Sequence, residues 1–281
     1  MKTVTIAGLG IIGGTWAKNL HEDGLNIRAW NRTRRDLPYF APDLAQAVTG
    51  SEIIIIVVAD PPAVEDMLKV IVPQLKPGQL VAQSSTISAA WTRKFSALVE
   101  ATGALFLEAP FTGSKLAAEA RQTVFYLGGT KEVIEKARPL LTRLGSNLLH
   151  IGPVGTASSL KLAMNLNLAV MAGALSESLT LARNEGIPDE VFFDALHLNA
   201  GRSGLSDLKE PKFRSGDFSP QFSLKHMNKD LRLALETAGN LDLPAAKALK
   251  SFYDRGMSGG MAEDDFIGMI RLLAPEKKTQ K

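Results

Sequence analysis

Between residue 3 and about residue 150, short β-branched runs such as Val4-Thr5-Ile6 and Ile53-Ile54-Ile55-Ile56 alternate with amphipathic stretches. That alternation builds a mostly parallel sheet covered by helices. The spacing predicts strands at 3–7, 26–30, 53–58, 80–83, 105–108, 123–127 and 147–151, with helices at 12–22, 61–72, 88–101 and 131–144. Beyond Gly155 the strand pattern stops. Helical periodicity then predicts helices at 156–184, 188–198, 224–240, 245–255 and 264–273. The chain is therefore expected to hold an α/β domain over 1–155 and an all-helical domain over 156–281. No Pro- or Ser-rich linker separates them, so a long helix starting near Thr156 is expected to join them. The polar end, 275–281, is expected to fray.

Gly8, Gly10 and Gly13 form G-x-G-x-x-G directly after the first strand and directly before the first helix, the context in which that motif binds a dinucleotide. Gly8 would permit the tight turn, Gly10 the approach of the pyrophosphate, and Gly13 close packing of helix on strand. The loop Gly8-Leu9-Gly10-Ile11-Ile12-Gly13 thus predicts a Rossmann domain, with the pyrophosphate on free N–H groups at the helix N-terminus. The alternative is an ordinary glycine-rich turn. Sites for NAD place an acid at the end of the second strand; this chain has Asn31-Arg32-Thr33-Arg34-Arg35 there. Arg32 can grip a 2′-phosphate bidentately and Thr33 can donate to it, which predicts NADPH in preference to NADH. A solvated basic loop is the competing reading.

Composition adds mainly exclusions. Lys and Arg number 32 against 29 Asp and Glu over 281 residues, a net charge of +3 too slight and dispersed for a nucleic-acid surface. With no Cys there are no disulfides, thiolate nucleophile or Cys-based zinc site, which suits a cytoplasmic protein; the 4 His lack metal-ligand spacing, so no metal is expected. Lys2 followed by the apolar stretch 4–16 has the outline of a signal peptide, but glycines break it and no small-x-small cleavage site follows. The apolar stretch 160–175 is short for a membrane span and interrupted by Lys161, Asn165 and Asn167. It is apolar enough to need burial on several sides, so a homodimer or homotetramer is expected.

Lys161 and Asn165 stand four apart, on one face of that helix. Lysines on helices are usually solvated. Here no other Asp, Glu, Lys or Arg lies between Arg143 and Glu177, and desolvation in so apolar a stretch is expected to bring the amine toward a useful acid/base range.

Gly8-Leu9-Gly10, Glu108-Ala109-Pro110-Phe111-Thr112-Gly113-Ser114-Lys115, Gly155 with Lys161 and Asn165, and Phe222 with Lys229-Asp230 occur in the order seen in the β-hydroxyacid dehydrogenase family. The chain resembles that family over nearly its whole length. With Asn-Arg-Thr after the second strand, it is most similar within it to the NADPH-dependent glyoxylate and succinic semialdehyde reductases. The resemblance implies a Rossmann domain joined to a helical domain, with the active site in the cleft between them. It makes Lys161 the general acid that protonates the carbonyl oxygen and Asn165 the residue that orients it. It makes Thr112, Gly113 and Ser114 the site for a substrate carboxylate, where a hydroxyl and N–H groups meet an anion. Thr86 matches a residue near the nicotinamide, Lys229 one that approaches the cofactor, and Phe222 and Asp230 positions facing the substrate. Without the resemblance, Thr86 and Thr112 read as weak helix caps, Phe222 as core, and Lys229 with Asp230 as a surface ion pair.

Two positions depart from the family pattern. Residue 112 is Thr where many members have Ser, and Arg121 stands where glycine is common; Arg121 could alter the substrate mouth or only the surface. The expected reaction is reduction of a small carboxylate-bearing aldehyde or keto acid. The alternatives are a 3-hydroxyisobutyrate or tartronate semialdehyde type of dehydrogenase, an imine reductase, and a nucleotide-sensing module without turnover. The chain is short for a 6-phosphogluconate dehydrogenase, and imine reductases usually lack a lysine at position 161.

Overall fold

The computed structural model describes residues 3–273; the tail expected to fray lies outside them. The chain divides into two compact units, Met1–Leu162 and Ala163–Lys281. In the first, β1 (Thr3–Ala7), β2 (Asn26–Trp30), β3 (Ile53–Ile56), β4 (Leu80–Gln83), β5 (Leu105–Glu108), β6 (Phe111–Thr112), β7 (Val124–Gly128) and β8 (Asn147–Gly152) form one sheet. The order is β2-β1-β3-β4-β5-β7-β6, with β8 beside β7. The strands from β2 through β5 are parallel, and β7 runs antiparallel to β5.

Between the strands lie α1 (Ile11–Glu22), α2 (Leu44–Val48), α3 (Pro61–Ile71), α4 (Ala89–Glu100), α5 (Lys115–Glu119) and α6 (Lys131–Leu141). The all-apolar β3 shows why both faces need cover. Ile53 and Ile55 join one core cluster with Trp16, Leu20, Leu107 and Phe125, whereas Ile54 and Ile56 join a second with Val64, Leu68 and Phe95. This is the period-two alternation of a strand buried on both sides. Because β1 lies between β2 and β3, the strand order reverses at its C-terminal end. A crevice opens there in sheets of this kind, and the glycine loop occupies it.

The long α7 (Thr156–Asn184) runs from one unit into the other, so the division falls inside a helix. It is followed by α8 (Asp189–His197), α9 (Gly204–Ser215), α10 (Leu224–Ala238) and α11 (Pro244–Ser258). Ala169, Ala172 and Leu179 of α7 pack with Phe193, Phe213, Met227, Leu231 and Tyr253. By length and composition α7 could also cross a membrane, and only 39% of its most apolar stretch is buried, so it leaves apolar surface uncovered.

Several predicted elements need correction. β3 ends at Ile56, and the predicted helix 264–273 is a 3₁₀ helix, Phe266–Leu272, capped by Asp265. Prediction also missed α2, β6, α5 and the twelve-residue α9.

Candidate active site

The glycine loop is shaped by close contacts. A Cβ on Gly8 would lie 2.2 Å from the Val57 carbonyl oxygen, and one on Gly13 2.0 Å from that of Gly8, whereas a Cβ on Gly10 would meet nothing within 4 Å. Two glycines therefore pack the turn, and the third leaves it open. Gly10 caps α1 without any side-chain hydrogen bond, and the first turn carries no acid. Its free N–H groups and dipole suit a pyrophosphate.

Asn31 links this loop to the nucleotide-selecting turn: its Oδ1 accepts from Leu9 N at 3.1 Å, and its Nδ2 donates to the Thr33 carbonyl at 2.9 Å. Leu9 is buried and its N–H is engaged by Asn31. Arg32 and Thr33 are exposed at the end of β2. The residues present fit a bound dinucleotide.

Further along the same unit, Thr86 is half-buried after β4; Ser88, not Thr86, caps α4. Thr112 lies in β6, paired with Val124, and caps no helix. Gly113 is exposed. Ser114 precedes α5, and its hydroxyl makes no capping bond. Lys161 is 8% exposed, in the second turn of α7. The start of that helix is held by Glu108, which is fully buried and which the sequence reading assigned no role. Its carboxylate accepts from the N–H groups of Gly155 at 2.7 Å, Ala157 at 3.3 Å and Ser158 at 2.6 Å.

In the helical unit, Asn165 is buried and donates from Nδ2 to Asp230 Oδ2 at 2.5 Å. Lys229 Nζ lies 2.8 Å from Asp230 Oδ1, and both side chains are largely covered, so this is not a surface ion pair. Asn165, Asp230 and Lys229 thus form one chain of contacts. Phe222 is half-buried, stacked on His226 at 6.0 Å and edge-on to Phe266 at 5.8 Å. His226 was also missed; its ring meets Ser223 Oγ at 2.5 Å, and burial, reinforced by Lys229, pushes its pKa below the ordinary value.

Residues 3–152 match the family of the NAD binding domain of 6-phosphogluconate dehydrogenase, and residues 155–273 match the NAD-binding family of NADP-dependent 3-hydroxyisobutyrate dehydrogenase. The chain belongs to the β-hydroxyacid dehydrogenase family. Glyoxylate/succinic semialdehyde reductase 2, chloroplastic, of Arabidopsis thaliana is 29% identical over 99% of this chain and 82% of its own length. Glyoxylate/succinic semialdehyde reductase 1 of that plant is 28% identical over 96% and 98%. A Mycobacterium tuberculosis 3-hydroxyisobutyrate dehydrogenase structure with L-serine is 26% identical, with a TM-score of 0.87 over 98% of this chain and all of that one.

As a β-hydroxyacid dehydrogenase, the protein is an NAD(P)-binding oxidoreductase with a Rossmann unit and a helical unit. Of its two departures from the family pattern, Arg121 has a structural explanation. At φ 56° it holds the left-handed backbone that favours glycine, and its guanidinium bonds Asp23 Oδ2 at 3.0 Å and the carbonyls of Asn19 and Arg143 at 3.1 and 3.0 Å. The residue stitches the end of α1 to the end of α6.

Proposed function

We propose that the protein is an NADPH-dependent reductase of small carbonyl acids, with glyoxylate and succinic semialdehyde as first candidates. The observation that carries this reading is the buried Lys161 on α7 in a chain with a dinucleotide-binding loop. NADPH, when bound, supplies a hydride. Lys161 Nζ gives a proton to the carbonyl oxygen of the substrate, and burial keeps competing water from the amine. Asn165, one turn further along and fixed by Asp230, orients the donor. The Thr112 hydroxyl with the Gly113 and Ser114 N–H groups anchors the carboxylate. Thr86 and Lys229 are assigned to the cofactor, and Phe222 and Asp230 to the substrate, on their match to the family pattern. Arg32 and Thr33 favour NADPH, since no acid stands there to repel a 2′-phosphate.

Succinic semialdehyde against butanal is the matched test, because the two differ only by the acid. Donors built for an anion are left unpaired by butanal, so the acid should be favoured in kcat/KM by about 100-fold, roughly 3 kcal/mol. Equal efficiencies would remove the carboxylate site. The match of residues 155–273 favours a second reading, oxidation of 3-hydroxyisobutyrate, which would show as higher efficiency in the reverse direction. We also infer self-association through the uncovered face of α7, where Met164 and Leu181 are exposed. Sedimentation at micromolar concentration should give a dimer or tetramer mass.

A further inference from the structure

We propose that Glu108 is the positioning residue for Lys161, an inference that rests on Lys161 being the proton donor. A helix begins with N–H groups that have no acceptor inside it, and a neighbouring Ser, Thr or Asp commonly supplies one. At α7 the acceptor comes instead from the C-terminal end of β5, 47 to 50 residues earlier in the chain. Both carboxylate oxygens are used, and the positive end of the helix dipole meets a fully buried acid.

The sheet makes room for this arrangement. Gly128 faces Glu108 in the β5–β7 register, and a Cβ there would fall 2.0 Å from Glu108 Oε2. A second tie holds the same turn, since Ser158 Oγ lies 2.8 Å from Thr92 Oγ1 of α4. Lys161 follows Ser158 by one helical turn. The height and rotation at which α7 presents Lys161 are therefore set by β5, through bonds that allow little slack. Shifts of about 1 Å in a reacting group can cost on the order of 100-fold in rate, so this anchorage bears on turnover as well as on folding.

The test is a double-mutant cycle of Glu108→Gln and Lys161→Ala, assayed with glyoxylate at saturating NADPH. Glu108→Gln keeps the shape but turns an amide N–H against the helix N–H groups. It should lower kcat by about 10-fold or more, with the glyoxylate KM and the NADPH Kd each changed by less than about threefold. In the Lys161→Ala background the same substitution should cost less than about twofold, because its effect runs through the missing amine. Hydrogen exchange should quicken at the start of α7 in Glu108→Gln. An equal kcat loss in both backgrounds, or no loss in either, would overturn the inference; a purely structural role would give the former. Wild-type turnover in Lys161→Ala alone would instead overturn the proton-donor reading, and this inference with it. Should Glu108→Gln fail to fold, Glu108→Asp, which keeps the charge but shortens its reach, should give a smaller loss with the same dependence on Lys161.

Discussion

Each proposed role belongs to a residue whose surroundings determine what its substitution should do. Lys161 is an amine buried in apolar helix, so Lys161→Ala should lower kcat by about 100-fold or more, the usual loss when a positioned general acid is removed. NADPH affinity, measured by nucleotide fluorescence, should be unchanged. Arg32 is exposed beside the glycine loop, and Arg32→Ala should raise the KM for NADPH by about 10-fold or more while leaving that for NADH within about twofold, since a bidentate phosphate contact is lost. Equal use of both nucleotides by the wild type would overturn that assignment. These residues were legible because their chemistry shows within a few neighbouring positions: glycines at fixed offsets, an acid missing after a strand, a lone cation in an apolar run. Glu108 was not, because the groups it holds are backbone N–H donors far along the chain, which leave no pattern in the sequence.

At the level of elements, the strands were readable wherever a β-branched run is buried on both faces, as in β3. Helix α9 was missed for a specific reason: its inward stripe is Leu205, Lys209, Lys212 and Phe213, so two cations occupy positions where periodicity looks for apolar residues. Lys209 is buried against Asp265, with Nζ to Oδ2 at 2.8 Å and Nζ to Gln221 Oε1 at 3.0 Å. Burial pushes the Lys209 pKa below its ordinary value although Asp265 pulls the other way. Asp265 also accepts from the N–H groups of Gln221 and Phe222, so one carboxylate ties α9, the loop before α10 and the 3₁₀ helix together. Asp265→Ala would strand a buried ammonium and should cost about 3–5 kcal/mol of stability in urea unfolding. A cost below about 1 kcal/mol would show that the pair does not hold the helical unit. The short α2, β6 and α5 were missed because so few residues carry no measurable period.

For the whole molecule, the folding equilibrium is coupled to pH through His226. Its faces meet Ser223, the Phe222 ring, and the charges of Lys229, Asp230, Lys225 and Glu263. Burial comes first and Lys229 second among the causes that hold its pKa below 6.5, so the folded chain keeps this ring neutral at pH values where the unfolded chain takes up a proton. Below about pH 6.5 the unfolded state therefore binds more protons, and stability falls as pH drops toward the folded-state pKa, by at most about 1.4 kcal/mol per pH unit for one group. The comparison is wild type with His226→Asn, which keeps a polar partner near Ser223 and cannot titrate. Because Trp16, Trp30 and Trp91 all lie in the first unit, tryptophan fluorescence is blind to the helical unit, and the transition should be followed by far-UV circular dichroism. His21, His150 and His197 are present in both proteins, so the difference isolates His226. The wild type should lose more stability than the variant between pH 7.5 and pH 5.5. Equal losses would mean that the ring can accept its proton in the folded chain as readily as in the unfolded one, against the burial that the structure gives it.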